Sequence, residues 1–174
     1  MIEETLSSKT VFKGEIMNLR VDEIRLPGGR KSTREIIEHS DAVAVIPVDR
    51  NGNVLLVKQY RSAAKEELLE IPAGCIEKGE APEETVKREL QEEIGYLPKK
   101  LTKMGGFYAS PGYNTEYLHL YLATDLVPSK KHAEDTESIE VVPVPIKSIT
   151  DYIKSGKVRD AKSVAGILYY MFMR

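Results

Sequence analysis

The chain has little of the chemistry that staples small proteins together. Its 174 residues include one cysteine, Cys75, which excludes an intrachain disulfide framework and a four-cysteine zinc site. Three histidines, His39, His119 and His132, are widely spaced and form no H-E-x-x-H pattern; His39 and His119 read as structural or surface groups, and Cys75 as incidental. Unbroken apolar runs such as Ala42 to Ile46 and Ile167 to Met173 are far short of the roughly 20 residues that span a bilayer. The start, Met1-Ile2-Glu3-Glu4, is acidic where a signal peptide is basic. These features place the chain in a reduced, cytoplasmic setting without membrane partners. A formal charge of -2 provides no global positive field for nucleic acid. Apolar residues make up 41%, ordinary for one buried core, and a chain of this size can stabilise such a core unaided.

The charge is unevenly distributed. From Gly74 to Tyr96 there are seven acids (Glu77, Glu80, Glu83, Glu84, Glu89, Glu92 and Glu93) against Lys78, Lys87 and Arg88, so 23 residues carry -4. Charge runs are usually solvated helix faces, and the spacing decides whether this one is.

Residues 10 to 38 read as extended segments broken at Pro27-Gly28-Gly29, a hairpin signal. Val43 to Val48 and Val54 to Gln59 read as strands joined by Asn51-Gly52 into a second hairpin. Leu68 to Ile71 is a short strand before the glycine-bearing loop Gly74 to Gly79. Ala81-Pro82 opens a helix, since proline suits the first helical position, and Gly95 ends it after Ile94. Further strands fit Leu101 to Tyr108, Glu116 to Ala123 and Glu140 to Val144. Short helices fit Ser148 to Lys154 and, capped by Asp160, Ala161 to Met173. Many strands with three helices indicate an α+β fold, a mixed sheet with helices on its faces. Residues 1–40 form a strand-rich arm and residues 41–174 the main body. Tyr169, Tyr170 and Phe172 read as core or dimer contacts.

On a helix advancing about 100° per residue, Glu89, Glu92 and Glu93 share one face. Val86, Leu90 and Ile94 form an adjoining apolar stripe that can bury against a sheet. Like charges at such spacing destabilise a helix by a few tenths of a kcal/mol per pair. A hard divalent cation with oxygen ligands relieves that repulsion.

Gly74, Glu80 and the run Arg88-Glu89-Leu90-Gln91-Glu92-Glu93-Ile94-Gly95-Tyr96 fill every fixed position of G-x5-E-x7-R-E-U-x-E-E-x-G-U, where U is bulky and apolar. This is the Nudix box, and the chain resembles the Nudix hydrolases, which cleave nucleoside diphosphates linked to another moiety. The resemblance implies the Nudix fold, a mixed β-sheet sandwiched between α-helices, here with an N-terminal β-strand arm. Pro111, the sixteenth residue after Gly95, is similar to the mark of the ADP-ribose pyrophosphatase subfamily. Arg34-Glu35, Gln59-Tyr60-Arg61, Ile71-Pro72-Ala73-Gly74 and Glu116 also sit where that subfamily has them.

The resemblance implies that Glu89 and Glu93 are the main Mg²⁺ ligands, with Glu92, the carbonyl of Ala73 and Glu137 contributing. Mn²⁺ and Zn²⁺ are alternatives to Mg²⁺. Glu80 is either part of the metal shell or a loop brace, the latter preferred, and Arg88 orients the carboxylates. Gly74, Gly79 and Gly95 serve backbone conformation. The general base is Asp135, Glu137 or one of the box acids Glu92 and Glu93; Asp135 stands where some relatives have a glutamate. Arg34 and Arg61 would meet substrate phosphates and the terminal ribose, Glu35 adenine, and Glu116 a ribose hydroxyl. Phe12 or Tyr60 would stack on adenine. The expected reaction is hydrolysis of ADP-ribose to AMP and ribose 5-phosphate. The alternatives are another nucleotide sugar or a dinucleotide on the same machinery, or a non-catalytic ADP-ribose-binding module. The expected assembly is a homodimer with exchanged N-terminal arms.

Overall fold

The computed structural model describes residues 2–133 and 138–173. Among these residues, ten strands and three α-helices follow one another in two compact units. Residues 1–41 with Tyr108–Tyr117 make the first; Ala42–Phe107 and residues 118–174 make the second.

The first unit is an antiparallel sheet of β1 (Glu4–Lys13), β2 (Met17–Arg25) and β3 (Lys31–His39), in that order. The expected β2–β3 turn forms at Pro27-Gly28-Gly29. Gly29 has φ +82°, and its N–H donates to Leu26 O at 2.8 Å, a left-handed conformation that favours glycine. β1 starts earlier than the sequence suggests, at Glu4, and only Leu6 of its ten residues is even half-buried. On the far side of the sheet, residues 113–115 are stitched to β3. Ile37 N–H donates to Tyr113 O at 2.7 Å, Thr115 N–H donates to Ile37 O at 3.0 Å, and Thr115 Oγ1 donates to His39 O at 3.0 Å. The Pro111 loop therefore belongs structurally with the arm.

The second unit contains two sheets. One orders β7 (Ala73–Cys75), β4 (Ala42–Pro47), β9 (Tyr117–Pro128) and β8 (Tyr96–Tyr108); the other orders β10 (Glu140–Pro145), β5 (Asn53–Arg61) and β6 (Glu66–Glu70). β4 pairs parallel with β9 and antiparallel with β7, so the first of these sheets is mixed. The expected β4–β5 hairpin does not form. Asn51-Gly52 does turn, with Gly52 at φ +77°, but only the single bridge Val48–Val54 joins the strands before they part into different sheets. The physical reason is burial: every residue of β4 is buried, as are Val54 to Val57 of β5. Strands covered on both faces lack the one-sided alternation of a solvated hairpin and need neighbours in separate layers.

Helix α1 (Pro82–Glu89) lies on one face of the mixed sheet. Val86 and Leu90 pack there with Val43, Val45, Tyr121 and Ala123, each large apolar side chain contributing about 1.5–3 kcal/mol on burial. Helix α3 (Ala161–Phe172) follows α2 (Ile149–Lys154) and covers the other face. A Cβ at Gly166 would lie 2.9 Å from Ile71 Cδ1 and 3.1 Å from Leu120 Cδ1, so α3 approaches the sheet as only glycine allows. The sheet is thus sandwiched between helices, as expected.

Candidate active site

The box begins at β7 and continues through the loop into α1. Pro82 occupies the first helical position, and Glu84 accepts a hydrogen bond from the Ala81 N–H at 3.0 Å, half of a capping box because alanine has no side-chain acceptor. The helix does not continue as α to Ile94. After Glu89 it widens into a π turn, Leu90–Ile94, closed by Gly95 at φ +75°, whose N–H donates to Leu90 O. Leu90, Gln91 and Ile94 all bury their side chains, while Glu92 accepts from Arg88 and Glu93 from the Ala73 N–H of β7. Single π turns of this kind are frequent at functional sites.

Arg88 ties the acids together. It donates to Glu80 through Nε and Nη2 (both 3.1 Å), to Glu89 (2.7 Å), to Glu92 (3.3 Å) and to the Cys75 carbonyl (3.1 Å). Glu80 also accepts from Thr85 Oγ1 at 2.8 Å, so it acts as a loop brace here. Surrounded by carboxylates, the Arg88 guanidinium is held well above its ordinary pKa, with the Glu80 hydrogen bond as the largest cause.

The acids are less well compensated. Burial pushes the Glu89 carboxyl up to about 7, with Glu92 and Glu80 adding repulsion that Arg88 only partly offsets. Burial also pushes Glu93 up to about 8, and the charge of Glu89 adds to it. The Ala73 N–H, which donates to Glu93 at 3.2 Å, and the charges of Arg61 and Lys162 act the other way. Gly74 serves a different purpose from the one expected. It has no positive φ, but an added Cβ would lie 1.8 Å from Glu89 Oε1, so the Glu89 carboxylate occupies the space a side chain would fill. Gly79 (φ +89°) and Gly95 do serve backbone conformation.

Three carboxylates on one arginine, with Glu89 acting on Glu93 beside them, suit a hard divalent cation: the donors are all oxygen, and burial and mutual repulsion raise two of them, Glu89 and Glu93, well above the ordinary carboxylate range. With Glu80, Glu89 and Glu92 turned towards Arg88, no three acidic, histidine or cysteine side chains converge on a common point among the described residues. The donor set fits such a cation in chemistry and charge.

Arg61 lies in the same unit. Its Nε and Nη2 grip Glu70 at 2.8 and 2.7 Å, a partner the sequence reading did not foresee. Tyr60 is exposed. The remaining substrate candidates lie in the first unit. Arg34 pairs with Glu3, Nε to Oε2 at 3.1 Å. With Arg20, Ile36 and residues 111–115, these two side chains line a cavity of about 320 Å³. Glu35 and Phe12 are exposed, and Glu116 hydrogen-bonds with Asn114. Asp135 and Glu137 lie outside the described residues.

A NUDIX domain model matches residues 38–165, and the model of a nucleoside diphosphate sugar hydrolase N-terminal domain matches residues 3–37. The chain is 41% identical over 169 residues to an ADP-ribose pyrophosphatase of Bacillus subtilis (96% of this chain, 91% of that protein). It is 36% identical over 169 residues to a methanol dehydrogenase activator of Bacillus methanolicus, with the same coverage. The crystal structure of an ADP compounds hydrolase superposes with a TM-score of 0.91 over 99% of this chain and 94% of that one, at 20% identity, which speaks for the fold. The box with its gathered carboxylates, the sheet between helices and the match over most of the length agree: the chain belongs to the Nudix hydrolase family.

Proposed function

We propose that the chain is a Mg²⁺-dependent pyrophosphatase that hydrolyses ADP-ribose to AMP and ribose 5-phosphate. The carboxylate group at the α1–π junction carries this reading, because burial and mutual repulsion raise Glu89 and Glu93 by more than the neighbouring arginines offset. The Bacillus subtilis ADP-ribose pyrophosphatase, 41% identical over nearly the whole chain, narrows the substrate.

Glu89, Glu93, Glu92 and the Ala73 carbonyl would hold the cation, together with Glu137. Bound there, a divalent cation neutralises charge on pyrophosphate oxygens and makes a water nucleophilic at neutral pH. The chain's own groups do the rest. Arg88 keeps Glu80, Glu89 and Glu92 aligned. The planar forks of Arg61 and Arg34 suit phosphate oxygens. Glu35 accepts hydrogen bonds from adenine and Glu116 from a ribose hydroxyl. The proton of the attacking water goes to a carboxylate of Asp135, Glu137, Glu92 or Glu93.

The arm assembles a homodimer. β1 is exposed on both faces, with Val11 at 50%, Phe12 at 54% and, beyond its end, Ile16 at 74%, and an exposed edge strand is a pairing liability that a second copy removes. Arg34 and Glu35 would then serve the partner's site.

A second reading keeps the machinery and changes the substrate to another nucleotide sugar or a dinucleotide. The relative named a methanol dehydrogenase activator favours it, because near-full-length similarity also extends to a protein of a different name. Comparing kcat/KM across nucleoside diphosphate derivatives, with products identified by mass, decides between them. ADP-ribose should lead the panel and yield AMP only with a divalent cation present. A different leading substrate overturns the first reading, and no turnover of any overturns both.

A further inference from the structure

The first turn of α3 is tied to the strand that leads into the carboxylate group, and no role above uses it. Glu70, the last residue of β6, is 1% exposed and receives both forks of Arg61. Lys162 of α3 donates to Glu70 Oε2 and, at 2.9 Å, to Asp160. Asp160 caps the helix by accepting from the Ser163 N–H at 3.1 Å. The buried Ser163 hydroxyl accepts from the Ile71 N–H at 2.8 Å. The Pro72 carbonyl accepts from the Val45 N–H at 2.9 Å, and the Ala73 N–H donates to Glu93. Every residue from Glu70 to Ala73 is therefore fixed, two of them by α3.

A buried ion pair contributes little net stability compared with well-packed apolar side chains. What this one fixes is geometry. With Nε and Nη2 committed to Glu70, the guanidinium plane of Arg61 is set, and among the described residues Nη1 takes no part in that grip. The charge of Arg61 also acts on Glu93. We propose that Glu70 and Lys162 are positioning residues: Lys162 holds Glu70, and Glu70 holds the Arg61 fork, whose charge acts on Glu93. This inference rests on the proposed roles of Arg61 and Glu93.

The test is a double-mutant cycle in the full chain with Mg²⁺, folding being checked by circular dichroism and melting. Glu70→Gln and Lys162→Met should each lower kcat/KM about tenfold, mainly through KM, and each should lose that effect in an Arg61→Met background, as coupled residues do. Lys162→Arg should restore most of the activity. Equal fold losses in both backgrounds, or a folded Lys162→Met with wild-type kcat/KM, overturn the proposal. If Glu70→Gln does not fold, the Lys162 arm of the cycle decides alone, because Lys162 reaches the pair from the edge, with 15% of its side chain exposed. The assay uses whichever nucleoside diphosphate derivative the wild type cleaves best, so failure of ADP-ribose as substrate is read separately from failure of the coupling.

Discussion

β1 and β4 differ in almost every respect that burial controls. Each residue of β4 is buried, while nine of the ten in β1 are exposed. β4 lies inside its sheet between β7 and β9; β1 lies at the edge of its own. The body is held by apolar burial. The arm is held by ladder hydrogen bonds and by ion pairs such as Arg25–Glu4 (2.6 Å) and Lys31–Glu23 (2.7 Å), which at exposed positions contribute only about 0–1 kcal/mol each. The body therefore carries its own stability and the chemistry of the box, whereas the arm would gain most from the proposed second copy.

The sharpest way to break this comparison is at the carboxylates of the body. Glu93→Gln keeps volume and removes a charge. It should leave the melting temperature unharmed and lower kcat by about a hundredfold or more, since metal charge stabilisation is worth several kcal/mol in the transition state. Near wild-type turnover at saturating Mg²⁺ would remove Glu93 from the site. Gly74→Ala comes next. Its methyl group would displace the Glu89 carboxylate, so Mg²⁺ affinity measured by calorimetry should fall about tenfold or more, in the range that altered support of metal ligands produces. Unchanged affinity would mean that the close approach is unimportant.

The third prediction concerns pH. Glu89 and Glu93 have folded pKa values of about 7 and about 8 against an ordinary 4.5. Between about 4.5 and 8 the folded chain then binds more protons than the unfolded chain, so without metal its stability falls as pH rises through that window. Melting temperature without metal should drop by several degrees from pH 5 to pH 8, and Mg²⁺ should recover it at pH 8. A flat profile would contradict the raised values. The smallest effect is expected in the arm. Val11→Asp with Phe12→Asp should shift the sedimentation of the protein from dimer to monomer while barely changing the melting of the body. A dimer that survives both charges would show that β1 is not the contact.

What the sequence reveals of this molecule is local. The box, the proline start of α1, the Asp160 cap and the turn glycines are all spaced within a few residues, and each is where its spacing implies. The β4–β5 hairpin failed because two buried strands joined by a turn signal look alike whether they pair or part into two sheets. The helix expected to run as α to Ile94 widens to a π turn over Leu90–Ile94, where Leu90, Gln91 and Ile94 are buried, a departure that a fixed 100° per residue does not register. Glu70, Lys162 and Ser163 went unnoticed because their partnerships span some ninety residues, which no periodicity records. Gly74 reads as conformational in the sequence because a glycine required for space is invisible until the Glu89 carboxylate is seen beside it.

The central claim, that the box acids form a cation site short of positive charge, is tested most directly by Mg²⁺ calorimetry at pH 7 in two buffers of different ionisation enthalpy. Metal ligands that must deprotonate release protons on binding. The account predicts saturable Mg²⁺ binding to the wild type with net proton release, and reduced affinity and reduced proton release in Glu93→Gln. Binding that releases no protons, or a Glu93→Gln titration that superposes on the wild type, would contradict it.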